Sequence, residues 1–403
     1  MPQGCRPSSA ASADRSGCLI TAVPDLARPV RGRLAPSPTG HIHLGNAGSF
    51  LMAWLCARAA GGQMVLRMED IDPDRSRPEF AADMVRDLLW LGLDWDEGPE
   101  FPELPDLADL ADLADLPDLA APLPATPSAR TPAPVIVPPP GACAAPSRPH
   151  IPGRGGPHGP YSQSERLALY AAALARLERE GHVYPCFCTR KELRLLASAP
   201  HPGECGPAYP GTCRDLGPQD RARRLAEGRR PAMRVRCDDT MIAFTDRIAG
   251  PQRMSLAACG GDFAVLRSDG VFAYQLAVVV DDIAMGITQV VRGDDILAST
   301  PRQIWLYHLL GAPVPEYVHV PLLLDHEGER LAKRHGSLAV AALRTAGVSP
   351  RAIVGYLAWR LGLRDAPELA TPRELAGEFD LERVVRQPVV LPVAVADVLR
   401  RMG

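Results

Sequence analysis

The pattern of apolar and polar positions alternates between the period of a strand and that of a helix. Residues 30–35 run into Pro36 and Pro38, which fix φ and remove two amide donors, so a strand must stop there. After Gly45, Phe50, Leu51, Trp54 and Leu55 recur at helical spacing until Gly61 and Gly62 end the run. A short strand over 64–68 empties into Glu69-Asp70-Ile71-Asp72, and a helix with Pro78 in its first turn carries Phe80, Met84, Leu88 and Leu91 on one face up to Gly92. Further on, Ser162 with Glu165 reads as a capping box opening a helix whose stripe is Leu167, Tyr170, Leu174 and Leu177, followed by a strand over 182–185. Residues 232–236 alternate as a half-buried strand, and 262–266 form another before the turn Ser268-Asp269-Gly270. Residues 272–282 are apolar on nearly all sides, a buried segment whose helix or strand state periodicity does not decide. A strand over 289–292 opens into a polar turn, and Thr300 with Pro301 at N1 caps a helix reaching Gly311. The apolar run 318–324 is followed by helices starting at Ser349-Pro350 and Thr371-Pro372. Such alternation predicts an α/β fold.

Residues 98–160 obey neither period. Seventeen of the 42 prolines fall there, beside an Asp-Leu-Ala repeat whose period of three fits neither helix nor strand. This stretch cannot bury enough surface to offset its ordering entropy and is expected to be a disordered insertion.

At 403 residues and 46% hydrophobic content, the chain is long enough for two or three domains with a real core. No run of 18 apolar residues and no apolar signal region appears, so no membrane span is expected and the cytoplasm is the expected location. The formal net charge of -3 argues against a strongly basic nucleic-acid binder, but residues 98–160 hold seven acids against three bases. The remainder is therefore near neutral, and any nucleic-acid footprint must be local. Of the ten cysteines, Cys186, Cys188, Cys205 and Cys213 cluster, which reads as metal chemistry in a reducing compartment.

The chemistry concentrates at 33–46, R-L-A-P-S-P-T-G-H-I-H-L-G-N. Gly40 and Gly45 permit tight turning and close approach of a ligand, and the helix after Gly45 presents free N–H groups to an anion. This stretch resembles the first motif of class I aminoacyl-tRNA synthetases in the form used by the glutamyl branch, with His43-Leu44-Gly45-Asn46 standing where that family carries HIGH. Asn46 departs from the fourth letter, as is common in glutamyl members. The resemblance implies a Rossmann-like catalytic domain in which Arg33, Leu34, Ala35, Pro36 and Ser37 line the glutamate pocket, while His43, Gly45 and Asn46 meet ATP. R-M-E-D-I-D is similar to the family's R-x-E-D-x-D, which gives Glu69 the ammonium group of the amino acid.

Two later stretches extend the likeness. F-A-Y-Q-L-A-V-V-V-D-D resembles the segment that contributes a tyrosine to the amino-acid pocket, which falls on Tyr274. V-V-R-G-D-D resembles V-x-R-G-x-D, whose arginine reads the glutamate side chain; here that is Arg292, a guanidinium suited to bidentate carboxylate pairing. R-L-A-K-R at 330–334 is similar to the second class I motif, KMSKS, with Arg330 and Ala332 as departures and Lys333 in the position that neutralises phosphate charge.

Cys186-x-Cys188 with Cys213 staples a loop that has little core, and a protein-ligated zinc would be structural. Chemistry alone favours Cys205 or His201 as the fourth ligand, because a free tyrosine must lose a proton near pH 10 to bind metal well. C-x-C followed by Y-x-x-x-C instead resembles the zinc site of the truncated, glutamyl-queuosine-forming branch of the family, which implies Tyr209 with Cys205 in reserve. In that branch no anticodon-binding domain follows the catalytic core.

The expected organisation is a disordered extension over 1–30, the first half of the catalytic domain over 31–97, the insertion over 98–159, and the catalytic domain again over 160–185. A zinc-binding insertion over 186–255, the second half of the site with its KMSKS-like loop over 256–335, and a short helical region over 336–403 complete it. The resemblance implies ATP with Mg2+, L-glutamate and queuosine-containing tRNA(Asp) as partners, one structural Zn2+ per chain, and a monomer. The rival readings are a core charging tRNA(Glu) and a non-catalytic nucleotide- or zinc-binding paralogue.

Overall fold

The computed structural model describes residues 19–100, 155–189, 191–193, 209–331 and 336–402. The strands are β1 Leu19–Thr21, β2 Arg31–Leu34, β3 Gln63–Leu66, β4 Val183–Cys186, β5 Ala232–Val235, β6 Met241–Asp246, β7 Gly250–Ser255, β8 Ala264–Leu266, β9 Gln289–Gly293, β10 Glu316–Val320, β11 Leu323–Leu324 and β12 Val389–Val390. The helices are α1 Leu44–Ala59, α2 Pro78–Trp90, α3 Leu167–Arg179, α4 Pro218–Ala226, α5 Tyr274–Ala284, α6 Thr300–Leu309, α7 Val340–Thr345, α8 Pro350–Arg360, α9 Pro372–Gly377 and α10 Val395–Met402.

β2 and β3 pair in parallel, as do β9 with β10, β10 with β6, and β6 with β1. The Thr288 N–H donates to the Arg31 carbonyl at 3.0 Å, which sets β2 beside the start of β9. From that junction the chain winds one way through β2 and β3 and the other way through β9 and β10. The crevice at the carboxyl ends of β2 and β9 is thus a topological switch point, where open α/β sheets take ligands. One core on one face joins α1 and α2 to α8 and α10 through Leu51, Trp54, Leu88, Leu357 and Leu399. A second core joins α3, α5 and α6 through Tyr170, Leu174, Val279 and Ile304. Strands β4, β5 and β8 form a separate antiparallel sheet that carries the cysteine loop. No helix among the described residues is long and apolar enough to cross a membrane.

Several expectations need correction. Within the extension over 1–30, residues 19–30 belong to the fold: β1 pairs with Met241–Ala243, and the Ala22 N–H donates to the Ala243 carbonyl at 2.8 Å, while residues 1–18 lie outside the described set. The insertion over 98–159 has placed ends, 98–100 and 155–159, with the intervening residues outside the described set. The capping box at Ser162 and Glu165 does not form. Ser162 bridges to Met68, Ser164 bonds Asp70, and α3 starts only at Leu167, which is exposed. The main chain at 161–163 instead pairs with Met68, and Gln163–Glu165 closes as a 3-10 turn. The undecided segment 272–282 is helical from Tyr274. Within the stretch 186–255, β6 pairs with β10 and β7 with β6 of the main sheet. By contrast, the capping box at Thr371 and Glu374 forms as expected, and Ser349 caps α8 by accepting from the Ala352 N–H.

Beneath the crevice runs a buried ionic chain. Asp281 accepts from Arg166 Nε at 2.6 Å, Gln163 Nε2 at 2.9 Å and the Tyr170 hydroxyl at 2.9 Å. Its neighbour Asp282 accepts from Arg67 Nη1 at 2.6 Å, and Arg67 Nη2 donates to Glu69 at 3.0 Å. The consecutive aspartates of α5 thereby reach the acidic turn that follows β3.

Candidate active site

A cleft of about 640 Å³ opens at the switch point. Arg33, Ala35, Pro36, Ser37, His43, Gly45, Asn46, Glu69, Tyr274 and Arg292 all line it. Leu34 does not. Its side chain is fully buried in the core and its carbonyl accepts from the Arg67 N–H, so a pocket-lining role for that side chain is withdrawn. Alternation along a strand explains this, because neighbouring side chains leave on opposite faces.

Main-chain bonds bring the two acidic and basic motifs together. The Glu69 N–H donates to the Pro36 carbonyl at 2.9 Å, seating the carboxylate against the turn after β2. Burial pushes the Glu69 carboxyl up, opposed by the charges of Arg67 and Arg33. Arg33 Nη1 donates to the Val291 carbonyl at 2.8 Å, and its Nε lies 3.9 Å from Asp282, while burial pulls its guanidinium below the usual arginine range. Tyr274, the first residue of α5, faces the cleft with 37% of its surface exposed.

Arg292, at the carboxyl end of β9, is held on three sides. Its Nε donates to His319 Nε2 at 3.0 Å, Nη1 to Gln303 Oε1 at 2.7 Å and Nη2 to Thr300 Oγ1 at 2.9 Å. The hydroxyl expected to cap α6 is therefore spent on Arg292, and Ser299 occupies the cap position without a side-chain bond.

His43 caps α1, its Nδ1 accepting from the Asn46 N–H at 3.2 Å. Accepting at Nδ1 leaves the proton on Nε2 as a donor. A Cβ at residue 45 would sit 3.1 Å from the His43 ring, so glycine there lets the cap form. Beyond the cap, Val340 donates to the Ile42 carbonyl and His43 bridges to Ala339. The carboxyl side of the KMSKS-like loop is thus tied to the first motif. At its amino side Arg330 pairs with Asp295 of the turn after β9. Lys333 and Ala332 lie outside the described residues.

Sequence reasoning passed over Arg75 and Asp295, which also line the cleft, and the residues behind Arg292. The available signal was a histidine between two valines in strand β10, all five residues of which are buried.

In the cysteine loop, Cys186, Cys188 and Cys213 place their sulfurs within 4.8 Å of one another. The Tyr209 hydroxyl lies 3.3 Å from the Cys186 sulfur and accepts from the Cys213 N–H at 2.8 Å, and Arg234 stacks on its ring at 4.0 Å. Burial raises the Cys186 thiol, but the contacts of Tyr209, the Cys188 main chain and Arg234 outweigh it and hold the thiol below its usual range. Cys188 is pushed up to about 12, first by burial and then by the neighbouring thiols. Three thiols at this spacing can hold a metal ion. Cys205 and His201 lie outside the described residues.

The model of the family "tRNA synthetases class I (E and Q), catalytic domain" matches residues 29–112 and 143–395. A Glutamyl-Q tRNA(Asp) synthetase of Nitratidesulfovibrio vulgaris is 51% identical over 372 residues, covering 92% of this chain and 98% of the relative. The Glutamyl-Q tRNA(Asp) synthetase of Symbiobacterium thermophilum is 51% identical over 362 residues. A glutamate–tRNA ligase of the same organism is 38% identical, and the match spans 64% of its length. Among solved structures, the glutamate–tRNA synthetase of Elizabethkingia anophelis aligns with a TM-score of 0.69 at 25% identity, over 93% of this chain and 70% of that one. The chain belongs to the class I (E and Q) tRNA synthetase family and, within it, to the glutamyl-Q tRNA(Asp) synthetases.

Proposed function

We propose that this ligase activates L-glutamate with ATP and transfers the glutamyl group onto the queuosine base of tRNA(Asp). The observation that carries the reading is the convergence of Arg33, Glu69, Tyr274 and Arg292 on one cleft with the capped His43 at its side. Two guanidiniums and a carboxylate suit an amino acid bearing two carboxylates and one ammonium. Glu69 and Tyr274 take the ammonium, and Arg292 takes the side-chain carboxylate. Arg33 and Ser37 hold the α-carboxylate as it attacks the α-phosphorus of ATP. The phosphate brings Mg2+, which offsets its charge. The Nε2–H of His43 and the Lys333 ammonium stabilise the charge that builds on the phosphates as pyrophosphate leaves. A ring hydroxyl of queuosine then attacks the adenylate carbonyl, giving the ester and AMP.

Incubation with labelled glutamate and ATP tests this reading on two tRNA pools, one containing queuosine and one lacking it. Label only on the queuosine pool is expected. Label on both would favour charging of tRNA(Glu), and label on neither, without ATP–pyrophosphate exchange, would leave only a binding role.

The cysteine loop fits zinc, held by Cys186, Cys188 and Cys213 with Tyr209 as fourth ligand and serving to fix the fold of the loop. The purified protein is expected to carry about one zinc per chain, which a Cys213→Ser change removes while lowering Tm by several degrees. Tyr209→Phe is expected to keep the stoichiometry but lose zinc more readily to a competing chelator. Unchanged retention would remove Tyr209 from the ligand set.

A further inference from the structure

We propose that Asp246 and His319 are positioning residues that aim Arg292 at the substrate carboxylate, an inference that rests on the glutamate-activating reading above. Arg292 is 6% exposed, His319 1% and Asp246 1%, so this row of three lies inside the protein behind the cleft. His319 Nδ1 is 2.6 Å from Asp246 Oδ2. The carboxylate is fixed in turn by N–H groups of Ile248 at 3.0 Å, Ala249 at 2.8 Å and His319 itself at 3.1 Å.

A carboxylate at Nδ1 keeps the ring proton on that nitrogen, which leaves Nε2 as an acceptor. Arg292 has only donors, so its Nε–H can lie 3.0 Å from His319 Nε2 only in this tautomer. Gln303 and Thr300 each take one further N–H. Three of the five guanidinium protons are thereby committed inside the protein, and the remaining two, one on each Nη, are left for a carboxylate in the cleft. The plane of the guanidinium is set from behind. Burial also pushes the His319 imidazole down to about 4, so at neutral pH it stays uncharged beside the arginine. None of these groups reaches the cleft lining, which separates positioning from contact with substrate.

Asp246→Asn gives a sharp test because it keeps size and shape. An amide nitrogen placed at the former Oδ2 donates to Nδ1, driving the ring proton to Nε2, where it meets the Arg292 Nε–H donor to donor. Glutamate-dependent ATP–pyrophosphate exchange would be measured for the parent, Asp246→Asn, His319→Gln and His319→Leu, with Tm for each. The expected result is a KM for glutamate raised about 10- to 100-fold in Asp246→Asn and His319→Leu, with the KM for ATP changed less than about threefold. His319→Gln, whose amide oxygen can accept from Arg292, is expected to recover much of the loss. Equal KM for glutamate in the parent and both disrupting variants would overturn the positioning role while leaving glutamate activation intact. A parallel fall in affinity for both substrates would overturn it too, since that marks a general structural loss. A folded parent showing no glutamate-dependent exchange would overturn the functional reading and, with it, this one.

Discussion

Replacing Arg292 with alanine is expected to lower kcat/KM for glutamate by roughly 10² to 10³ or more while leaving the KM for ATP nearly unchanged. The side chain is almost wholly buried, so a carboxylate it meets exchanges water for a desolvated, charge-assisted contact. Removing one partner of such a pair costs about 3–5 kcal/mol because the other charge is left without compensation. At 1.36 kcal/mol for each factor of ten, that is a loss of roughly 10²-fold to several thousandfold. The buried layer behind the cleft also suffers, since His319 Nε2, the Gln303 amide oxygen and the Thr300 hydroxyl lose their donor together. Arg292→Lys keeps the charge but presents one nitrogen where three are needed, and is expected to fall between parent and alanine. The discriminating measurement is exchange with glutamate and glutamine side by side. Only the acid gains from a guanidinium, so the alanine variant should lose its preference for glutamate over glutamine. A retained preference would place the carboxylate reader elsewhere, with Arg33 next in line.

Position in the sequence was a good guide wherever one element answers to one local pattern. The stripe Phe50, Leu51, Trp54 and Leu55 gave α1, and Arg33, Glu69, Tyr274 and Arg292 stand at the ends of short elements that the sheet gathers into one cleft. The readings failed where a distant partner outbid a local one. Ser162 and Thr300 both looked like helix caps, but the main chain around Ser162 pairs with Met68 and the Thr300 hydroxyl accepts from Arg292 of the neighbouring strand. The segment 272–282 was undecidable because α5 lies between the sheet and α3 and α6, buried on nearly every face, so its apolar pattern carries no period. His319 and Asp246 illustrate the deeper limit. They are 73 residues apart, and nothing local to either marks them as a pair.

Asp281→Ala is expected to be the most destabilising single change near the site, by about 3–5 kcal/mol, because it withdraws the counter-charge from Arg166 and part of that from Arg67. Both side chains are almost wholly buried. The Tyr170 hydroxyl and the Gln163 amide lose their acceptor in the same stroke. Asp281→Asn retains one oxygen and the shape, and is expected to cost about half as much. An exposed pair such as Arg386 with Glu382 is worth less than about 1 kcal/mol, so Glu382→Ala serves as the control. Tm reports the global loss, and two further readouts locate it. Arg166 also donates to the carbonyls of His158 at 3.0 Å and Pro160 at 2.7 Å, where the chain returns from the insertion to the catalytic fold. Freed of Asp281, Arg166 should loosen this neck, and limited proteolysis should cut near 155–160 faster than in the parent. Through Arg67 the same loss reaches Glu69, so the KM for glutamate should rise in whatever fraction remains folded. A variant that lost stability but kept both the neck and the KM would show that the two aspartates of α5 act separately, Asp281 for the fold and Asp282 for the cleft.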